Sequence, residues 1–522
     1  MLPLPAKRVS VDNLCAGMGN TNTNTPDTVA DVAVIGLGRV GLPLALSFAD
    51  RGLRVIGIDN DPARLGALRE GTMPFQETGA QDLLGRVGPS PTESGNPSSP
   101  TESVDPSSPT ESVDPSSPTE SVDPSDSGWR RLSLSERVAD AAAAKHIVIT
   151  LGTPSFSHIE IDMRDIRSAL DDLLGALKPG HALTLRSTVA PGTTEFVAGY
   201  LAKHRGFQIG EDVYVAHAPE RIAAGRFLEE IDSLPCIIGG VGERSGEVVA
   251  ELFSVFDAPI VQTTPVQAEL AKIWANILRY TLFALPNLLM MDCERYGANV
   301  FEVIDLVNRD YPRGGLAQPG LTAGTCLRKD FAFSEERSNA PGMLLAVSRV
   351  NESVPLFLVE GIKRRLAPRV ERSGDTADTS LRAVGTDPGP KGTSQAVAGA
   401  NLGALTGRKV AVLGLAFKAD TDDERDSLAH KLIRLLEREL ADVVAHDPHV
   451  PTPTVSFEEA VQDADIVVVA ANHHEFREPA ALATIAARAS SDCLVVDPWN
   501  CWGAGQVFAY ASELAVLGAA KA

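Results

Sequence analysis

A six-residue turn, Gly36-Leu37-Gly38-Arg39-Val40-Gly41, constrains the fold of this chain more than any other stretch. It follows the apolar run Asp31–Ile35 and opens a helical pattern. A backbone that leaves a strand, turns sharply and enters a helix over so few residues needs glycine at set places. Gly36 permits the tight turn, Gly38 lets the main chain approach a pyrophosphate, and Gly41 lets the helix pack close to the strand. Asp59 ends the next apolar run, 18 residues after Gly41. A carboxylate there accepts from a ribose 2′-hydroxyl and repels a 2′-phosphate. The expected cofactor is therefore NAD rather than NADP, with Gly36, Gly38, Val40, Gly41 and Asp59 facing it.

From residue 29 to about 262, short Val/Ile-rich runs alternate with helical patterns, which reads as a mostly parallel sheet in an NAD-binding domain. The further runs are Arg54–Asp59, His146–Leu151, His181–Ser187, Val213–His217 and Cys236–Gly239. This domain is interrupted. Residues 98–124 are three perfect copies of Ser-Ser-Pro-Thr-Glu-Ser-Val-Asp-Pro, preceded by a degenerate copy. With no apolar period and frequent proline, the stretch from about 89 to 128 cannot build a core and is expected to be a disordered insert in a surface loop. Residues 1–28 are polar and rich in Asn, Thr and Pro, and read as a disordered tail without the apolar core of a signal peptide.

Residues 264–300 carry helix-period apolar positions with no breaker before Pro286. They read as a long helix that begins a central helical region, 263–367. Residues 368–406 are rich in Gly, Ser, Thr and Ala and read as a flexible linker. A second αβ pattern fills 407–522, with strands at Lys409–Leu413, Val443–His446, Asp465–Ala470 and Cys493–Asp497. The expected fold class is α/β, with two Rossmann-like doubly wound domains joined by a helical middle domain built on a long central helix. A chain of 522 residues is long enough for these cores.

Composition removes several classes of function. The net charge of −21 argues against general nucleic-acid binding, which needs a basic face. The longest apolar stretch, Thr281–Met291, is too short to span a bilayer and contains Pro286 and Asn287, so no membrane partner is expected. The six cysteines are scattered, without a CxxC or Cys/His spacing, so neither a metal site nor a disulfide framework is expected. A reducing, cytoplasmic setting follows as the expectation.

Four further stretches carry chemistry. Ser187-Thr188-Val189-Ala190-Pro191-Gly192-Thr193-Thr194 places hydroxyls and Pro-Gly ahead of a helix start, which suits a nucleotide edge or a simple capped turn. In Glu269-Leu270-Ala271-Lys272, Lys272 and Asn276 stand four apart and share one helix face. They are aimed at a site or form a solvated stripe. Cys326 sits in Ala323-Gly324-Thr325-Cys326-Leu327-Arg328-Lys329-Asp330, a small-residue loop with a carboxylate four residues on. It is either a buried small apolar residue or a nucleophile. Lys418 and Arg425 follow Gly414, in a turn that lacks the second and third glycines of a dinucleotide loop; they neutralise a diphosphate or belong to a charged loop. A dinucleotide fold together with a loop cysteine points to an oxidation that runs from alcohol through aldehyde to acid, because a thiohemiacetal gives the aldehyde carbon a second hydride to lose.

In this order the motifs resemble the UDP-glucose/UDP-N-acetylmannosamine 6-dehydrogenase family. The resemblance covers nearly everything from residue 30, apart from the repeat insert and the 368–405 stretch. It rests on the glycine turn, Gly152-Thr153-Pro154, the Ser-Thr-Val-x-Pro-Gly-Thr-Thr run at 187, and Pro219-Glu220-Arg221-Ile222 with Gly225. It continues with Glu269 to Lys272 and Asn276, Cys326-x-x-x-Asp330, and Phe417-Lys418 with Asp423-x-Arg425-x-Ser427. The resemblance implies a first domain that holds NAD, with Thr153 and Thr188 beside it, and a last domain that holds the uridine diphosphate of a UDP-sugar. It implies a homodimer or larger homo-oligomer formed through the long helix.

The mechanism it implies is a four-electron oxidation at C6. Cys326 adds to the aldehyde, Lys272 with Asn276 steadies oxyanion character, and Asp330 and Glu220 position or activate water. Arg221, Lys418 and Arg425 are the implied substrate contacts, together with Arg313, which matches an arginine that the family supplies from the partner subunit. Three positions depart from the family pattern: the loop before Cys326 has fewer glycines, Leu288 replaces an acid, and Trp499 stands where arginine is common. Pro-Glu-Arg-Ile at 219–222 leans towards a UDP-N-acetylhexosamine; Lys329 ahead of Asp330 leans towards UDP-glucose. A two-electron hydroxyacid dehydrogenase and a non-catalytic nucleotide-sugar-binding homologue remain the alternatives.

Overall fold

The computed structural model describes residues 29–89, 131–153, 155–156, 160–161, 163–322, 324, 327, 330, 342–366 and 403–514. The expectations for the N-terminal tail, the repeat insert, most of the linker and the cysteine at 326 fall outside the described residues. The chain divides into two compact units, Met1–Trp274 and Ala275–Ala522. The long helix Pro265–Tyr296 runs through that division.

The first unit is built on strands β1 (Ala30–Ile35), β2 (Val55–Ile58), β3 (Leu132–Ser135), β4 (Ala144–Ile149), a short hairpin β5 (Ser155–Phe156) and β6 (Glu160–Ile161), then β7 (Ala182–Leu185), β8 (Tyr214–His217), β9 (Cys236–Gly240) and β10 (Ile260–Thr263). Eight of them form one sheet in the order β10-β9-β8-β7-β4-β1-β2-β3. Neighbours run parallel except β8 and β9. Val32 and Val34 pack on one face against the helix Gly41–Asp50, while Ala33 and Ile35 pack on the other against Arg164–Leu174 and Thr193–Arg205. A strand that is apolar at nearly every position is what a sheet covered on both faces requires. The edge strands β3 and β10 were not expected from sequence. Only Leu132 of β3 is buried and no residue of β10 is, so neither carries a continuous apolar run.

The second unit holds a five-stranded sheet in the order β12-β11-β13-β14-β15. Its strands are β11 (Lys409–Leu413), β12 (Asp442–His446), β13 (Ile466–Val469), β14 (Leu494–Val496) and β15 (Phe508–Tyr510), and only the β14–β15 pair is antiparallel. Val410 and Val412 face a core shared with the helices Met343–Leu366, Val300–Asn308 and Leu428–Arg438, whereas Ala411 and Leu413 face the opposite core. The helical middle region therefore covers one face of this sheet. The long helix continues through Pro286, although proline removes one backbone donor there. Leu405, four residues ahead of β11, is buried in the core.

Asp497, just past β14, is buried and accepts the Trp499 N–H at 3.1 Å. Burial pushes its pKa up to about 6, against the backbone N–H groups around Cys501, Trp499 and Trp502, which pull it down. The folded-state value lies above the unfolded one, so the folded chain holds the extra proton in the window between them and loses stability as pH rises through it. Asp497→Asn, which keeps the acceptor but cannot ionise, should be more stable than the parent at pH 8 by up to about 3 kcal/mol. The difference should vanish below about pH 4. Urea unfolding at both pH values checks the sign and the window.

Candidate active site

The glycine turn forms as its spacing demands. Gly36 adopts a left-handed φ of 95°. A Cβ on Gly41 would lie 1.8 Å from the Gly36 carbonyl oxygen and 2.4 Å from Thr150 Oγ1, so no larger residue fits. Among the described residues nothing lies within 4 Å of the place a Cβ on Gly38 would take, which leaves room for a ligand to reach that backbone. Val40 sits just ahead of the helix, and its carbonyl accepts the Leu44 N–H. Asp59 is buried, and its Oδ2 accepts the Leu37 N–H at 2.6 Å. Both its oxygens also meet Arg64 Nη1 at 2.8 Å. A cleft of about 770 Å³ opens here, with Gly36, Gly38, Asp59, Asn60, Arg64 and Gly152 among its walls. That volume suits a dinucleotide-sized ligand.

The loops after β4 and β7 are tied together. Thr153 Oγ1 donates to the Thr188 carbonyl at 2.6 Å, and Ser187 Oγ donates to the Leu151 carbonyl at 2.6 Å. Glu269, whose part in its motif the sequence did not reveal, caps the helix Thr193–Arg205. Its Oε2 accepts the Gly192 N–H at 2.7 Å, and its Oε1 accepts the Thr194 N–H at 2.9 Å and hydroxyl at 2.6 Å. The second turn of the long helix is thereby fixed to the loop ahead of Thr193–Arg205. Burial raises the Glu269 pKa, against the Thr194 and Gly192 bonds that favour its charge. Lys272 lies one turn further along.

His217, wholly buried at the end of β8, is a residue the sequence reading did not single out. Burial holds its pKa down to about 3, reinforced by the Arg186 and Lys272 charges, and neither ring nitrogen has a hydrogen-bond partner among the described residues. The only hint in the sequence is a polar residue closing an apolar run. Glu220 forms a buried ion pair with Arg186 at 2.5 Å and accepts the Ile222 N–H at 2.7 Å, so both its oxygens are engaged. Arg221 donates to the Pro235 carbonyl.

In the second unit, Asn276 Nδ2 donates to Asp330 Oδ2 at 2.5 Å, and both side chains are buried. The loop leading to residue 326 is held by a chain of amides. Gly320 N–H donates to Asn287 Oδ1, Asn287 Nδ2 to Asn351 Oδ1, and Asn351 Nδ2 to the Tyr280 carbonyl, at 2.9 to 3.1 Å. Two rings lie against the glycines of this loop. A Cβ on Gly320 would come within 2.4 Å of Trp499, and one on Gly324 within 2.7 Å of Phe417. Trp499, which stands where the family often has arginine, thus packs on the loop at Gly320. Arg313 is exposed, with Nε donating to Tyr311 Oη at 3.0 Å.

The glycine turn has a counterpart in this unit. Gly414 has φ 94°, and the N–H groups of Leu415 and Ala416 donate to Asp447 Oδ2 at 2.6 and 3.0 Å. The buried His473 meets the same oxygen with Nε2 at 3.1 Å, and Oδ1 accepts the His449 N–H at 2.8 Å. Burial alone would raise the Asp447 pKa, but His473 and the N–H groups of His449 and Ala416 hold it well below the ordinary carboxylate range. Arg425 forms a two-point pair with Asp423 at 2.8 and 2.7 Å, and Lys418 lies half-buried in the same loop.

Known proteins match this arrangement along most of the chain. The NAD binding domain of the UDP-glucose/GDP-mannose dehydrogenase family matches residues 30–91 and 125–257, its central domain matches 266–353, and its UDP binding domain matches 411–504. The UDP-N-acetyl-D-mannosamine dehydrogenase of Pyrococcus horikoshii is 28% identical over 449 residues, which cover 85% of this chain and 90% of that protein. The solved UDP-N-acetyl-mannosamine dehydrogenase of Staphylococcus aureus superposes with a TM-score of 0.68 at 26% identity, covering 90% of this chain and 95% of its own. The solved UDP-glucose dehydrogenase of Pyrobaculum islandicum does so with 0.66 at 26%, covering 90% and 94%.

The Asp59–Arg64 pair sets a test of cofactor choice. In Asp59→Ser the hydroxyl still accepts from Leu37, but the repulsion of a 2′-phosphate is gone and Arg64 is released to meet one. The preference for NADH over NADPH, read as the ratio of dissociation constants by cofactor fluorescence, should fall at least tenfold (about 1.4 kcal/mol).

Proposed function

This chain belongs to the UDP-glucose/GDP-mannose dehydrogenase family of NAD-dependent nucleotide-sugar 6-dehydrogenases, and we propose that it oxidises the C6 alcohol of a UDP-N-acetylhexosamine to the uronic acid. Asp330 is the observation that carries the chemistry: a buried carboxylate four residues past Cys326, bonded by Asn276, which lies one helical turn from Lys272. Gly41, Gly38 and Asp59 fit the pyrophosphate and ribose of NAD, for the steric and hydrogen-bonding reasons given above. Bound NAD supplies the hydride acceptor for each of two oxidations.

The chain's own residues do the rest. Lys272 and Asn276 stabilise negative charge that develops on the substrate oxygen. Cys326 adds through sulfur to the aldehyde carbon, giving a thiohemiacetal that keeps one hydrogen on that carbon. Its oxidation leaves a thioester, and water, positioned by Asp330, hydrolyses this to the acid and returns the thiol. Glu220, its carboxylate held by Arg186 and the Ile222 N–H, is the second residue that positions or activates water, while Arg221, Lys418, Arg425 and Arg313 contact the UDP-sugar. Replacing the thiol should separate the two halves. Cys326→Ser should form at most one NADH per sugar and no uronic acid; full conversion by this variant would refute the thiol's role.

The N-acetylhexosamine choice rests on Pro-Glu-Arg-Ile at 219–222 and on the UDP-N-acetylmannosamine activity named for the relatives above. UDP-glucose is the second reading, favoured by Lys329 ahead of Asp330. A cytoplasmic site of action agrees with these substrates, and none of the described helices is long and apolar enough to cross a membrane.

The long helix also supports a homodimer. Trp274, Leu278, Leu282, Leu285 and Leu288 are exposed at steps of four, four, three and three residues, which makes one apolar stripe. A row of this length calls for a partner, and a second copy of the same helix is complementary to it. Leu278→Asp with Leu282→Asp should yield monomers by light scattering while leaving NADH binding intact. A double variant that stays dimeric would remove this helix from the interface.

A further inference from the structure

Four side chains from three separate stretches of the second unit converge outside the residues assigned to the reaction. They are Asp420 in the loop after β11, His449 in the turn after β12, and the neighbours His474 and Glu475 after β13. One potential ligand atom from each lies within 4.8 Å of all the others. His474 Nδ1 is 3.2 Å from Asp420 Oδ1 and 3.3 Å from Glu475 Oε2, and His449 Nε2 is 3.1 Å from Glu475 Oε1. Donors bound to one tetrahedral zinc at about 2.0–2.2 Å stand roughly 3.3 Å apart; the three nearest pairs stand at about that spacing, and the remaining pairs lie within 4.8 Å.

The set is also braced from behind. His473 is wholly buried, its Nδ1 accepts the Asp420 N–H at 2.9 Å, and its Nε2 faces buried Asp447 at 3.1 Å. This holds Asp420 in its left-handed conformation, φ 56°, with the carboxylate turned towards His474. His473 thus fixes the main chain that presents the Asp420 carboxylate. The nearby cation, Arg477, lies 3.8 Å from the other Asp420 oxygen, Oδ2. Two imidazoles and two carboxylates suit zinc and its first-row neighbours; calcium and magnesium take oxygen alone.

We propose that Asp420, His449, His474 and Glu475 form a binding site for a divalent first-row transition metal, zinc being the best fit. The ion ties the ends of three adjacent strands together and holds the loop that carries Lys418 and Arg425. The site stands independently of the proposed reaction.

The test uses the full-length chain as Cys326→Ser, so that metal on that thiol does not enter the count. After EDTA treatment and dialysis, calorimetric titration with Zn²⁺ should give one ion per chain, and Co²⁺ should give the visible spectrum of a four-coordinate ion. His474→Ala, at an exposed position, should weaken Zn²⁺ binding at least tenfold. Asp420→Asn should do the same while keeping a residue type that accepts the left-handed backbone. Circular dichroism equal to the parent's establishes that each variant is folded. No Zn²⁺ bound by the parent, or binding that both variants leave unchanged, overturns the proposal.

Discussion

A carboxylate just past the second strand of each sheet's glycine-turn unit holds each half of this chain together. Asp59 accepts the N–H of Leu37, and Asp447 accepts those of Leu415 and Ala416. In both cases the first donor follows a glycine of left-handed φ, Gly36 or Gly414. A buried N–H left unmet there would cost about 1–3 kcal/mol, so the acid and the turn fix one another. Two segments follow directly from these turns: the Gly36–Gly38 backbone at the wall of the cleft in the first half, and the loop from Leu415 to Arg425 in the second.

The two turns diverge in what surrounds them. Asp59 is bordered by the solvent-reaching Arg64 and by a wide cleft. Asp447 is bordered by buried His473, and Ala416 and Ala419 stand where the first turn has Gly38 and Gly41. The second turn thus keeps the strand–turn–acid geometry but not the close approach of backbone to a pyrophosphate. The same device borders a wide cleft in one half and holds a loop in the other.

Much of this was legible in the sequence, and the failures have physical causes. β1 and β11 could be read because both faces of a central strand are covered and nearly every residue is apolar. The edge strands β3 and β10 bury too little to leave a pattern. Asp59 was read as a ribose acceptor, which its place at the cleft fits, but its bond to Leu37 was not foreseen because turn geometry leaves no spacing signal. Glu269 capping a helix 75 residues upstream, and four metal-type ligands gathered from residues 420, 449, 474 and 475, depend on tertiary contacts that no local period announces. Trp499 is legible in the sequence only as a departure from the family pattern; its place against Gly320 depends on the packing.

The most direct test of the four-electron chemistry is the yield of NADH per sugar for the unaltered protein, with NAD⁺ in excess and UDP-ManNAc, UDP-GlcNAc or UDP-glucose limiting in turn. The account predicts two NADH per sugar consumed, with an N-acetylhexosamine preferred. One NADH per sugar would contradict it and return the protein to a two-electron dehydrogenase.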